Sequence, residues 1–100
     1  MAELKLETKV IAYAAAVTEV EFGWGARPDG YLIAPTRDAL VRAQERAREQ
    51  AKTSKYGYDV VEDIFTITPT AKSIEAMKNS KHEDRVFGIN NNLKDYGERV

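Results

Sequence analysis

The chain has 100 residues, 43% of them hydrophobic and 31% charged, with a formal net charge of −1. That length suits one domain with a modest core, and that composition excludes disorder of the whole chain. Near-neutral charge excludes bulk attraction to nucleic acid or anionic lipid, and the lack of cysteine removes disulfides, thiolate nucleophiles and Cys-ligated metals.

No apolar run reaches the ~18 residues that a membrane span needs, and the start "MAELKLETK" has no signal-peptide pattern. A cytoplasmic protein with no membrane partner is the expectation. The charge is uneven along the chain. Arg37–Tyr56 holds six basic and three acidic residues, whereas Gly57–Ala71 holds three acidic residues and no basic one.

The first segment, "LKLETKVIAYAAAVTEVEF", carries two periodicities. Leu6, Val10, Tyr13, Val17 and Val20 fall at helical spacing, and three consecutive alanines favour a helix. Against this, the segment has no N-cap before Val10 and runs directly into glycines. A strand from about Lys9 to Phe22 is therefore expected, with Val20 and Phe22 on one face. "FGWGARPDGY" then reads as a glycine-rich connection in which Asp29-Gly30 is the turn dipeptide. "YLIAP", Tyr31 to Pro35, is a second strand, completing a long hairpin.

"TRDALVRAQERAREQAKTS" predicts a helix ending near Ser54. Thr36 suits the N-cap and Asp38 the first turn. Leu40, Ala43, Ala47 and Ala51 share one face, short enough for close approach to a sheet. The other face carries Arg42, Glu45, Arg46, Arg48, Glu49 and Lys52. "DVVEDIFTIT", Asp59 to Thr68, predicts one strand. Thr68-Pro69 predicts the cap and first position of a short helix, "PTAKSIEAMKN", which buries Ala71, Ile74 and Met77. A loop "SKHED" and a last strand "RVFGI" follow. The tail from Asn90 to Val100 reads as a loop or a single helical turn, mobile in part. The sum is β-β-α-β-α-β: an α+β fold, a two-layer sandwich of an antiparallel or mixed sheet with one main helix.

The residues that carry chemistry are few. His82 is the one histidine, and its acidic neighbours in the same loop cannot all point at one ion, so it reads as a solvated side chain. Glu62 and Asp63 are adjacent on a strand and face opposite ways; Glu19 and Glu21 share a face, the solvent side of the hairpin. No nucleophile–base pair is identifiable, so catalysis, a metal and a cofactor are not expected. The helix cations Arg37, Arg42, Arg46, Arg48, Lys52 and Lys55 suit phosphate contacts, but interleaved glutamates weaken their field.

The decapeptide is the sharpest signal. Its glycines and proline satisfy backbone geometry, which leaves Trp24 and Arg27 to explain. Either Trp24 caps the core and Arg27 pairs with Asp29, or Trp24, Arg27, Asp29 and Tyr31 form a contact region. Such a region suits a protein interface, where Trp, Tyr and Arg dominate, or a nucleotide or anion cradle. Arg42 and Arg46 would form a second region.

"FGWGARPDGYLIA" followed by a capped, charged helix resembles small accessory proteins encoded by bacteriophages, over about Val10 to Gln50. The resemblance implies a class and gives no residue a role. Such proteins block a host defence by binding an effector complex, as anti-CRISPR proteins do, or by sequestering a nucleotide signal. The expectation is thus a non-catalytic binding protein that occupies a host protein surface. Nucleotide capture, for instance at a homo-oligomer interface, and nucleic-acid binding are the alternatives.

Overall fold

The structure, a computed structural model, describes residues 10–81 and 85–100. Lys9, the expected start of the first strand, and His82 lie outside the described residues. Among the described residues six strands and two helices form in the order β1 (Ala12–Glu21), β2 (Gly25–Ala34), α1 (Arg37–Ala51), β3 (Gly57–Val61), β4 (Phe65–Pro69), α2 (Ala71–Lys78), β5 (Val86–Gly88) and β6 (Gly97–Arg99), with a 3₁₀ turn at Leu93–Asp95. The fold is α+β with a fully antiparallel sheet, β5-β2-β1-β4-β6, in which β3 also pairs with β1.

β1 resolves the ambiguity of the first segment in favour of a strand, and the reason lies in its neighbours. Ala12 and Ala14 pack with Ile33, Ile67 and Met77 on one side of the sheet. Ala15 packs with Ala34, Ala39 and Leu40 on the other. A strand covered on both faces by closely approaching elements takes small side chains at both parities, and that need overrides the helical preference of alanine.

Directly paired residues share a face, so the register sorts the sheet. Ala14, Ile33 and Phe65 form one row, facing α2; Ala15 and Leu32 form the adjacent row, facing α1. The helices therefore lie on opposite faces. The architecture has three layers, where the sequence suggested two, because α2 is not a peripheral segment: Ile74 and Met77 cover the face that α1 leaves open.

The expected single strand from Asp59 to Thr68 is broken. β3 pairs with the outer part of β1 (Val17–Glu21) and β4 with its base (Ala12–Ala14). Between them Glu62, Asp63 and Ile64 span a gap that β1 crosses with Ala15 and Ala16 alone. The Glu62 N–H donates to the Ala16 carbonyl at 2.8 Å, and Gln44 of α1 donates to the Glu62 carbonyl at 2.9 Å, which holds the break in place. On the other edge of β1 the register also slips between Ala16 and Thr18, where Asp29 and Gly30 stand against Val17 alone. Asp29-Gly30 is thus a β-bulge inside β2, not the hairpin turn. Gly30 has φ +91, and a Cβ there would collide with the Gly88 carbonyl, so only glycine fits.

The turn itself is Phe22-Gly23-Trp24, closed by the Trp24 N–H donating to the Glu21 carbonyl at 3.0 Å, with Gly23 at φ +88. Pro28 sits in β2 opposite Thr18, beyond the reach of β5, where a missing N–H costs no ladder bond.

Thr36 caps α1 as expected, accepting from Ala39 N at 3.3 Å. The second cap falls two residues later than expected. Pro69 stays in β4 opposite Gly97, and Thr70 caps α2 by accepting from Ser73 N at 3.1 Å. The tail is more than a loop or one helical turn: β6 pairs with β4, and the Tyr96 carbonyl accepts from both Thr70 N and Ser73 Oγ.

Candidate functional site

The outer part of β1 divides its side chains by polarity. Towards α1 stand the rows Glu19–Arg27–Asp59 and Glu21–Gly25–Gly57; towards the side of α2 stand Val20–Ala26–Tyr58 and Thr18–Pro28–Val60. α2 packs on β2 and β4 at the base of the sheet, so this second face has no helix over it. Phe22 and Tyr58 form a tilted ring pair there, with centroids 5.9 Å apart. Trp24 at the apex is 86% exposed, Tyr56 85% and Phe22 52%. Val10, Ile11, Phe87, Ile89 and Val100 are exposed elsewhere, but the three exposed aromatics Phe22, Trp24 and Tyr56 gather at this end, and a patch of that kind marks a candidate interaction site.

The six residues singled out from the sequence separate. Trp24 does not cap the core, and Arg27 does not pair with Asp29. Its guanidinium instead bonds Glu19 at 2.8–2.9 Å and approaches Glu21 at 3.3 Å. The hydrogen bond to Glu19, then the charges of Glu19 and Glu21, raise the Arg27 pKa further. Among the described residues Arg27 makes no cation–π contact with Trp24 or Tyr31. Asp29, carried on the bulge, gathers with Glu19 and Asp59, their carboxylate oxygens lying within 4.8 Å of one another. These three are the side chains that would hold a cation, with Arg27 already supplying counter-charge to Glu19. Partial burial, followed by the like charges of Asp29 and Glu19, raises the Asp59 pKa.

Tyr31 belongs to the other end of the molecule. Its ring meets Tyr96 at 5.7 Å, and both join the core beneath α2. Arg42 is exposed on α1, but Arg46 is not on the same solvated face. It turns towards the sheet and lines a hollow with Val17, Leu32, Asp59 and Arg85. The helical wheel explains this: Arg46 lies three residues beyond Ala43 and one before Ala47, at the border of the apolar stripe.

Two further features lie outside the residues singled out from the sequence. One is a hollow of about 360 Å³ at the C-terminal end of α1, lined by Glu19, Glu21, Gln50, Tyr56, Tyr58 and Asp59. The other is a larger cleft of about 590 Å³ between α2 and the sheet edge, walled by Ile33, Ala76, Val86 and Tyr96 with Lys72 at its margin. The Tyr96 hydroxyl donates to the Asn90 carbonyl at 2.7 Å, and burial raises its pKa. Its ring lies so close to Gly88 that a Cβ there would collide with it. The alternation Tyr56/Tyr58 in "KYGY" was the available clue to the first feature; nothing local announced the second.

Among the described residues no helix is long and apolar enough to cross a membrane. No protein-family model, curated protein or solved structure matches the chain.

Proposed function

We propose that this protein is a non-catalytic binding protein that occupies a surface of another protein with the aromatic end of its β1–β2 hairpin. One observation carries the reading: a tryptophan 86% exposed at the apex of a long hairpin, beside exposed Phe22 and Tyr56. Tryptophan in such a position loses contact with water only by meeting a partner, and Trp, Tyr and Arg are the residues that concentrate binding energy. Resemblance to phage accessory proteins suggests that the target belongs to a host defence system in the host cytoplasm, as for an anti-CRISPR inhibitor.

The electrostatics speak against the two alternatives. A nucleotide brought to the Arg27 region meets Glu19, Glu21, Asp29 and Asp59, whose charges outweigh one guanidinium already paired to Glu19. A nucleic acid approaching α1 finds Arg46 turned inward and glutamates between the remaining arginines.

The test is affinity capture from a bacterial lysate with wild type and Trp24→Ala. The expected result is a captured protein that Trp24→Ala loses while its melting temperature stays within a few degrees of wild type. Equal capture by both chains would refute the reading.

A further inference from the structure

We propose that the cleft between α2 and the sheet edge binds a small zwitterion with an apolar body, the chemistry of a free apolar α-amino acid. The cleft lies at the base of the sheet, away from the hairpin tip, and does not depend on the reading given to that tip.

The walls of the cleft are preset. Its floor is Ile33 of β2 and Val86 of β5, directly paired and so on one face of the sheet. One wall is α2, which presents Lys72 and Ala76 one helical turn apart. The other is Tyr96, whose carbonyl accepts from Thr70 N at 3.0 Å and from Ser73 Oγ at 2.8 Å. Those two bonds tie the first turn of α2 to the residue after Asp95, so Lys72 and Asp95 both line this end of the cleft. Its volume of about 590 Å³ falls within the range of small-molecule sites, about 300–1,000 Å³.

The polar groups of the cleft divide into those already used and those left over. Ser73 Oγ donates to the Tyr96 carbonyl, and the Tyr96 hydroxyl donates to the Asn90 carbonyl at 2.7 Å. The Asn90 side chain donates to one Asp95 oxygen and accepts from Asn92 N at 2.8 Å. Among the described residues neither Lys72 nor Asp95 joins an ion pair. A ligand therefore meets one ammonium, one carboxylate with an oxygen to spare, and an apolar floor.

Charge balance selects the ligand. A simple carboxylic acid pairs with Lys72 but meets the charge of Asp95, and an amine pairs with Asp95 but meets Lys72. A phosphate, with more negative charge, is opposed more strongly by Asp95. A group that carries both charges satisfies both walls, and the flexible four-carbon stem of Lys72 adjusts to its carboxylate. With both charges held at one end, the rest of the ligand lies along Ile33, Ala76 and Val86, where burial of an apolar side chain favours binding. The hollow at the end of α1 has the opposite character: Glu19, Glu21 and Asp59 line it and would reject the carboxylate of the same ligand.

The test is titration with L-leucine and L-phenylalanine, read from the amide chemical shifts of Ala76, Gly88 and Tyr96. The expected result is saturable shifts there, with Kd below about 1 mM and the Trp24 indole unmoved. The analogues 3-phenylpropionate and 2-phenylethylamine each lack one charge and should bind at least about tenfold more weakly than phenylalanine. Lys72→Gln should weaken phenylalanine by about tenfold without weakening 2-phenylethylamine; Asp95→Asn should weaken phenylalanine equally without weakening 3-phenylpropionate. Both side chains are exposed, so both variants should keep the wild-type amide spectrum away from the cleft. No saturable shift with either amino acid up to about 10 mM overturns the proposal. So does a singly charged analogue that binds as well as phenylalanine, an affinity indifferent to both substitutions, or saturation that moves Trp24 and leaves Gly88 in place. Target capture is read with Trp24→Ala and amino-acid binding with Lys72→Gln and Asp95→Asn, so either reading can fail while the other stands.

Discussion

The two halves of β1 show how one strand serves two purposes. At the base, from Ala12 to Ala15, helices cover both faces, and the alanines at 12, 14 and 15 are fully buried while Tyr13 is partly so. In the outer half, from Thr18 to Glu21, one face is ionic and the other is largely apolar, with the Glu62 carboxylate accepting from Thr18 Oγ1 at 2.8 Å at its inner end. The division falls where both neighbours of β1 carry an extra residue: Asp29-Gly30 in β2, and the Glu62–Ile64 gap between β3 and β4. Stability and recognition are thus separated along a single strand, and the bulges mark the boundary between them.

Substitution at matched positions sharpens that comparison. Ile67 is fully buried at the base, opposite Ala12. Ile67→Ala should cost about 2–5 kcal/mol, since the cavity it leaves is walled by residues on both strands and α2. Phe22→Ala removes a larger side chain from the outer half, yet should cost under about 1 kcal/mol, because that ring is half in water already. Urea unfolding of both variants checks the contrast. Similar losses at the two sites would mean that the Phe22 ring is held as tightly as the base of the strand.

Gly88 offers a second break, at the cleft. A Cβ there collides with the Tyr96 ring, which cannot retreat freely because its hydroxyl is bonded to Asn90 and its ring packs on Tyr31. Gly88→Ala should cost about 1–3 kcal/mol by overpacking. Thermal unfolding unchanged by this variant would show that the Tyr96 wall is not fixed. A smaller effect is expected at Thr70, whose side chain caps α2: Thr70→Ala should cost about 1 kcal/mol, and Thr70→Ser should restore most of it.

What the sequence disclosed divides along the same lines. α1 was legible because Thr36, Asp38 and the alanine stripe are local signals in agreement. The hairpin was legible as a hairpin, but Asp29-Gly30 looked like its turn because a bulge and a turn ask the same of glycine, a positive φ. The break between β3 and β4 was hidden because "DVVEDIFTIT" keeps its alternation through it; what interrupts the pairing is the register against β1, a non-local property. β6 was missed for a related reason: three residues with a glycine carry no strand signal, and Gly97 is needed so that its backbone can approach Thr68 and Pro69 closely. Of the site, Trp24 was visible as a residue without a structural excuse. The gathering of Glu19, Asp29 and Asp59 was not, since it draws on three strands and depends on the bulge.

That carboxylate group yields the smallest effect and the one with a definite sign. The Asp59 carboxyl is held above its usual range, by partial burial first and then by Asp29 and Glu19. A carboxyl whose pKa is raised on folding binds its proton more tightly in the folded chain. Its contribution to stability is therefore most favourable in acid and declines as pH rises through the raised pKa. Above that pH the ionised group opposes folding by the full amount. Asp59→Asn keeps the shape and removes the charge, so at pH 7 it should stabilise the protein. Asp59 is exposed, and Arg46 and Arg85 line the hollow it borders, so the gain should be small: about 0.3 kcal/mol, or a shift of roughly 2 °C in Tm. Near pH 3, where the acid is protonated in both folded and unfolded chains, the variant and wild type should melt together. A Tm lowered by Asp59→Asn at pH 7 would mean that the arginines, not the neighbouring acids, govern this site. The outer half of the strand would then owe part of its stability to α1, and the separation between a stable base and a recognising tip would be less complete than the bulges suggest.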